Sequence, residues 1–265
     1  MRALVTNDDG IESAGLLTLA TVGVQAGLDV VVAAPSSEYS GSSAALTAFE
    51  SGGRLVLHDV ELDGLDTHRC VAVDATPAFI AMAAASGTFG PPPEIVLSGI
   101  NRGPNTGQAI LHSGTVGAAL TASNHGCPAL AFSLDAAQPT EFGTAAAVVR
   151  RVLSWLLASM PLPNVVLNIN IPDVPLEDLR GLRAAALAAF GAVQGNVADT
   201  GRGSVTKTFE KVWVGDEPGT DAALVKSGWA TVTALAALCQ APGVELGGLA
   251  GRVGPTDQVS EWASR

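Results

Sequence analysis

The sequence predicts a three-layer, doubly wound α/β fold with a mostly parallel sheet and an antiparallel β-extension at its C-terminal end. Two observations carry that expectation. Short apolar runs rich in Val, Ile, Leu and Ala alternate with longer segments whose apolar residues recur at helical spacing. The runs are also apolar at consecutive positions, as strands covered on both faces must be, rather than at every second one.

The elements follow in order. Ala3-Leu4-Val5-Thr6 reads as a first strand that stops at the polar turn Asn7-Asp8-Asp9-Gly10. Ser13 to Ala26 places Leu16, Leu17, Leu19, Ala20 and Val24 at helical spacing, and Gly27 ends it. Asp29–Ala34 reads as a strand with both faces buried. Strand, helix and strand within about 30 residues make a βαβ unit, hence a parallel pair. The rhythm continues with a helix at Pro77–Ala85, a strand Ile95–Leu97 and a helix from Ser113 to about Asn124. A strand Ala129–Leu134, a helix Glu141–Ser159 and a strand Val165–Ile169 complete a Rossmann-like core over residues 1–172.

Two stretches break the rhythm. Between Arg54 and Val73 short alternating segments read as hairpins. Beyond Pro172, Leu182–Leu187, Ser204–Val214 and Trp229–Leu235 read as β-segments of an extension over 173–254, carrying an oligomerisation hairpin. Thr256–Ala263 reads as a helix in the closing stretch 255–265.

Composition narrows the function classes. With 265 residues, 48% apolar and 15% charged, the chain can bury a sizeable core. Its 14 basic against 25 acidic residues give a net charge of −11, which disfavours a nucleic-acid duplex as partner. A small anionic substrate stays compatible where one site is locally positive. Met1-Arg2 leads directly into a strand, and no apolar run reaches the ~20 residues of a membrane helix, so a cytoplasmic location without membrane contact is expected. Cys70, Cys127 and Cys239 are odd in number and form no CxxC, indicating neither a disulfide framework nor a zinc–thiolate site.

The chemistry concentrates in the loops after the early strands, where ligands bind in such sheets. Asp8 and Asp9 are adjacent, so a continuing strand would point them apart. A bend at Asn7 and Gly10 lets them converge, and two such charges repel by ~4 kcal/mol at surface-like dielectric unless a cation lies between them. Alone, the run also fits a solvated turn. The second loop, Ser36 to Ser43, is rich in hydroxyls, and alone fits a flexible connector. The third, Ser98 to Gly107, holds Asn101 and Asn105 among glycines directly after a buried strand. Ser113-Gly114-Thr115-Val116 then opens a helix, whose unpartnered amides and positive dipole end favour an anion. Together the loops offer oxygen ligands suited to one Mg²⁺, Mn²⁺ or Ca²⁺ beside an anion pocket, which is the layout of phosphate chemistry.

These motifs resemble the SurE family of stationary-phase survival proteins, metal-dependent nucleotidases. The matching stretches are Thr6–Gly10, Ser40–Ser43 with Leu46-Thr47, Ser98–Asn101 with Gly103-Pro104-Asn105, Ser113–Val116, Leu167–Pro172 and Gly219-Thr220-Asp221. The resemblance implies one divalent cation per subunit, held by Asp8, Asp9, Ser40 and Asn101, with Asp8 and Asp9 catalytic. It implies phosphate or substrate contacts at Asn7, Gly41, Asn105, Ser113, Gly114 and Thr115, and makes His112 a candidate general acid. It further implies hydrolysis of 5′- and 3′-nucleoside monophosphates by attack of an activated water, in a homodimer or homotetramer built by exchange of the C-terminal β-extension. The chain departs from the family's pattern at Ala78-Phe79, at Thr121-Ala122 and at His112. Those departures keep two alternatives open: a specialised phosphatase for a sugar or secondary-metabolite phosphate, and a non-catalytic protein that binds a phosphorylated metabolite.

Overall fold

In the computed structural model, residues 1–51, 54–159, 164–189, 193–201, 204–211 and 217–236 are described. The chain runs β1 (Arg2–Thr6), α1 (Ala14–Gln25), β2 (Asp29–Pro35), β3 (Glu50–Ser51), β4 (Arg54–Leu55), β5 (Leu57–Asp59), β6 (Arg69–Val73) and α2 (Pro77–Ala85). It continues through β7 (Ile95–Arg102), a 3₁₀ turn (Gly107–His112), α3 (Gly114–Asn124), β8 (Ala129–Asp135), α4 (Phe142–Ser159) and β9 (Val165–Pro172). The last described elements are β10 (Leu182–Ala184), β11 (Val193–Gly201), β12 (Ser204–Lys211), α5 (Asp221–Lys226) and β13 (Ala230–Ala236).

Nine of these strands form one sheet in the order β10-β13-β9-β8-β7-β1-β2-β6-β5. The strands from β6 to β9 run parallel, while β5 and β13 run antiparallel to their inner neighbours. Alternate residues of each strand feed two buried layers. Val5, Val32, Leu97 and Ile169 pack with Leu16, Leu19, Val149 and Leu153 of α1 and α4 on one face. Leu4, Val71, Val96 and Val166 pack with Ile80, Val116 and Ala119 of α2 and α3 on the other. This is the expected three-layer α/β architecture. Ser13 and Ser113 cap α1 and α3, each side chain accepting the amide three residues on.

The topology fixes where a ligand belongs. From β1 the chain winds outward through β2 to β6, then returns to place β7 on the other side of β1. The carboxyl ends of β1 and β7, in register at Thr6 and Ser98, therefore flank the switch point of the sheet.

One expected region resolves differently. Of the hairpins expected over Arg54–Val73, β5–β6 is one, but β6 is also a core strand parallel to β2, with Cys70 to Val73 all buried. Only β3–β4 and β5–β6 pair antiparallel there. A strand of five residues after a polar turn is too short for its periodicity to stand out, and only the vacant place beside β2 selects it. Strand Ile95–Leu97 also proves longer, running to Arg102 through a break in register between Ser98 and Asn101.

After Pro172, β13 adds antiparallel to β9 and β10 joins β13 at the sheet edge, whereas β11 and β12 pair with each other. The helix expected at Thr256–Ala263 and the thiol of Cys239 lie outside the described residues. Among the described residues no helix is long and apolar enough to cross a membrane.

Candidate active site

The turn after β1 is built by Asn7. Its buried Oδ1 accepts the Gly10 amide at 3.2 Å, while Nδ2 donates to the Gly10 carbonyl at 3.0 Å and to Ser13 Oγ at 2.6 Å. Gly10 sits at φ +98°, a conformation few other residues adopt. The side chain of Asn7 is thereby committed to the turn and to the cap of α1. That arrangement makes it a fastener of the loop rather than a free substrate contact.

The turn delivers the two aspartates into unlike surroundings. Asp8 is buried beneath the start of α3, where Thr115 Oγ1 donates to its Oδ1. Gly114 packs so closely that a Cβ there would lie 2.8 Å from both Cβ and Oδ2 of Asp8 and 2.7 Å from Ser42 Oγ. Burial pushes the Asp8 carboxyl up to about 6; the Thr115 hydrogen bond opposes this, and the charge of Asp9 adds to it. Among the described residues no basic side chain forms an ion pair with Asp8. Thr115, expected to meet a phosphoryl oxygen, turns its hydroxyl to this carboxylate instead.

Asp9 is gripped by Arg102. The Arg102 amide donates to Oδ2 and its Nε to Oδ1, both at 2.9 Å. The Asp9 side chain is 2% exposed and that of Arg102 44%. The same guanidinium reaches Glu38 Oε2 at 2.9 Å, and Ser40 Oγ donates to Glu38 Oε1 at 2.7 Å. The Ser40 and Arg102 hydrogen bonds hold the Glu38 carboxyl below its ordinary value. An ionic chain Asp9–Arg102–Glu38 thus ties all three loops together, and Ser40 hangs from its outer end.

Asn101 follows the register break in β7. Gly99, at φ +128°, makes that break: a Cβ there would strike the Phe132 carbonyl at 2.3 Å. The Asn101 Nδ2 donates to the carbonyls of Gly103 at 2.8 Å and Arg102 at 3.2 Å, which leaves Oδ1 as the end able to face a cation. Asn105 is buried, its Nδ2 donating to Ser133 Oγ at 2.8 Å. Ser113 Oγ accepts the Val116 amide at 3.1 Å. His112 is exposed at the end of the 3₁₀ turn.

The second loop lies across the first turn of α3. Gly41 takes φ +82°, Ser43 Oγ donates to the Leu111 carbonyl at 2.6 Å, and the Tyr39 amide donates to the Asp8 carbonyl at 2.8 Å. Gly117 admits this crossing, since a Cβ there would sit 2.1 Å from the Ser43 carbonyl oxygen. Under the crossing, Ser42 Oγ is buried without a partner, beside Gly114 and Asp8.

These residues suit a hard divalent cation. The donors are carboxylate, hydroxyl and amide oxygens, and among the described residues no group of three or more His, Cys, Asp and Glu converges. A buried carboxylate without a cationic partner and an orphaned hydroxyl beside it are groups a cation would satisfy. A cavity of about 480 Å³ opens next to Asp9 and Arg102, lined also by Glu12, Ser36 and Phe142. A larger one of about 720 Å³, near Trp155, Arg183 and Val232, lies at the far edge of the sheet and has no part in this site.

Three contributors escaped the reading of the sequence: Arg102, Glu38 and Ser42. The signal for Arg102 was a basic residue in a polar loop directly after a buried strand, in a chain with only 14 basic residues. Glu38 had none, because Arg102 lies 64 positions away along the chain, and Ser42 had none, because Gly114 and Asp8 come beside it only in the fold.

Comparison with known proteins places this geometry. Residues 3–192 match the family model described as survival protein SurE. The chain is 36% identical over 244 residues to the 5′-nucleotidase SurE of Stenotrophomonas maltophilia, covering 88% of each chain. It is 36% identical over 241 residues to the 5′/3′-nucleotidase SurE of Erwinia tasmaniensis, covering 89% of this chain and 90% of that one. The crystal structure of SurE protein from Aquifex aeolicus superimposes with a TM-score of 0.75 at 30% identity, covering 91% of this chain and 95% of that chain. With the motifs, the sheet order and these matches in agreement, the chain belongs to the SurE family.

Proposed function

We propose that this protein is a cation-dependent phosphomonoesterase that releases phosphate from nucleoside monophosphates, a 5′/3′-nucleotidase. One observation carries the reading: Asp8, buried and, among the described residues, without a cationic partner, is pressed against the amide-rich start of α3 at the switch point of the sheet. A carboxylate so placed recruits a cation, and the helix start beside it favours an anion. The nucleotide as substrate class is supported by the relatives named as nucleotidases.

Asp8, Asp9, Ser40 and Asn101 would hold the cation, which supplies charge neutralisation at the phosphoryl group and acidifies the attacking water. The chain's own residues do the rest. Asn105, Ser113 and the Gly114 amide are set to orient the non-bridging oxygens, helping most as charge redistributes in the transition state. One of the two aspartates takes the proton as the water oxygen bonds to phosphorus. The ester P–O bond breaks, and His112 is the candidate donor to the departing alkoxide. Ser40 Oγ, which donates its proton to Glu38, keeps its lone pairs for the cation.

We also place subunit pairing in the hairpin β11–β12. It joins none of the described strands outside itself, and a lone two-stranded ribbon is marginal in water, so a second subunit is the natural support. The test is phosphate release from nucleoside 5′- and 3′-monophosphates and sugar phosphates, each with Mg²⁺, Mn²⁺ or Ca²⁺. Release only from nucleotides, and only with cation, is the expected result; turnover undiminished in EDTA would overturn the reading.

A further inference from the structure

We propose that Asn168 and Asn170 on β9, with Asp221 at the start of α5, are positioning residues for the phosphate side of the site. They act through the backbone of Asn105 and Gly107. The inference rests on the reading of Asn105 as a phosphate contact.

The Asn105 peptide is clamped from both sides by one amide side chain. Its N–H donates to Asn170 Oδ1 at 2.7 Å, and its carbonyl accepts from Asn170 Nδ2 at 2.9 Å. The same carbonyl accepts a further bond from Asn168 Nδ2 at 2.8 Å. Asn168 and Asn170 are fully buried. Two residues on, the Gly107 amide donates to Asp221 Oδ2 at 2.8 Å, while Asp221 Oδ1 accepts the amides of Ala188 at 3.0 Å and Ala222 at 2.8 Å. Gly107 opens the 3₁₀ turn that ends beside Ser113, so both ends of the loop's last stretch are anchored.

An ordinary surface loop leaves its peptide groups to water. Here polar side chains occupy a buried sheet face where apolar ones would normally sit. Asn168 and Asn170 stand opposite Thr233 and Thr231 on β13, and Asn170 opposite Ser133 on β8. Asn168 Oδ1, Thr231 Oγ1 and Thr233 Oγ1 are even left without partners. Placing such groups inside is unfavourable unless they serve something. Asn168 and Asn170 serve the backbone atoms of Asn105, whose Nδ2 bond to Ser133 then aims the side chain. Loop residues thereby acquire the rigidity of a central strand, as orientation of a reacting phosphate requires.

The test uses the full chain and measures binding of inorganic phosphate in the presence of Mn²⁺, binding of Mn²⁺ alone, and the unfolding midpoint. Asn170→Ala is expected to weaken phosphate binding about tenfold while Mn²⁺ affinity stays within about threefold, because Asp8 and Asp9 sit in the turn after β1 and make no bond to Asn105 or Asn170. In an Asn105→Ala background, Asn170→Ala should cost less than about twofold more, since the side chain it aims is gone. Asp221→Asn should act in the same direction more weakly. Should Asn170→Ala not fold, Asn170→Asp keeps the acceptor for the Asn105 amide and is expected to lose about threefold by the same readouts. Unchanged phosphate affinity in a folded variant would overturn the proposal. So would equal losses for phosphate and Mn²⁺, or a full multiplicative loss in the Asn105→Ala background. A wild-type chain that binds phosphate with these responses yet hydrolyses no nucleotide would sink the proposed activity and leave the positioning role standing; one without phosphate affinity would overturn the positioning role whatever its turnover.

Discussion

Asp8 and Asp9 are neighbours in sequence and opposites in environment. On the α3 side, Asp8 is buried with hydroxyl and amide neighbours and, among the described residues, no counter-charge, and its carboxyl is pushed up to about 6. On the cavity side, Asp9 is equally buried but carries a two-point bond from Arg102, itself shared with Glu38. Two like residues in one turn thus divide the work. Asp8 leaves a charge deficit for a cation to fill, and Asp9 is held in place whether or not a cation is bound. Burial alone does not set how a carboxylate is charge-balanced; the groups the fold places against it do.

The largest expected effect tests the catalytic half of that contrast. Asp8→Asn should lower phosphate release by about three orders of magnitude, and Asp9→Asn by distinctly less, because Arg102 already offsets that charge. Equal losses in steady-state assays would break the comparison.

Stability should show the reverse ranking. In EDTA, Asp8→Asn is expected to stabilise the protein, removing an uncompensated buried charge worth up to about 3 kcal/mol, while Asp9→Asn destabilises it by taking from Arg102 the more buried of its two carboxylate partners. The pH dependence has a fixed sign. Since the folded value of Asp8 is raised from 3.8 to about 6, its protonated form is favoured in the fold. Its contribution is therefore complete below about pH 4 and is lost as pH rises through about 6. Urea unfolding between pH 4.5 and 7.5 should show this decline in the cation-free wild type, its absence in Asp8→Asn, and its reversal by added Mn²⁺.

Gly114→Ala probes the contact between the helix start and Asp8. A methyl group there meets Asp8 and Ser42 at 2.7–2.8 Å, so a cost of about 1–3 kcal/mol and a marked drop in cation affinity are expected by thermal unfolding and calorimetry. The smallest effect belongs to Ser42→Ala. Deleting an unpartnered buried hydroxyl should change cation-free stability by less than about 1 kcal/mol, in the stabilising direction.

Much of the scaffold was legible beforehand because its signals are local. Pro77 at a helix start, Ser13 and Ser113 as caps, and Gly27 as a stop mark helix ends within a residue or two of where they lie. The consecutive apolar residues of β1, β2, β8 and β9 announced a sheet covered on both faces. The loops carrying Asp8, Asp9, Asn101, Asn105 and Ser113 were likewise recognisable from polar and glycine-rich runs at strand ends. Roles inside the site were less so. Asn7 and Thr115 have the right chemistry for an anion, yet one is tied into its own turn and the other to Asp8. The hairpin of β5 and β6 is local and legible, whereas the parallel pairing of β6 with β2 is not, because it is decided by which neighbour is vacant.

Periodicity, capping and turn chemistry act over a few residues, so the sequence by itself determined the α/β class, the helix ends and which loops hold the polar groups. Partner choice acts through space. Arg102 finds Asp9 from 93 positions away, Thr115 finds Asp8 from 107, and Asn170 finds Asn105 from 65. Only the assembled fold decides such meetings, because the free energy of a buried charge or amide depends on every group brought within a few ångströms of it.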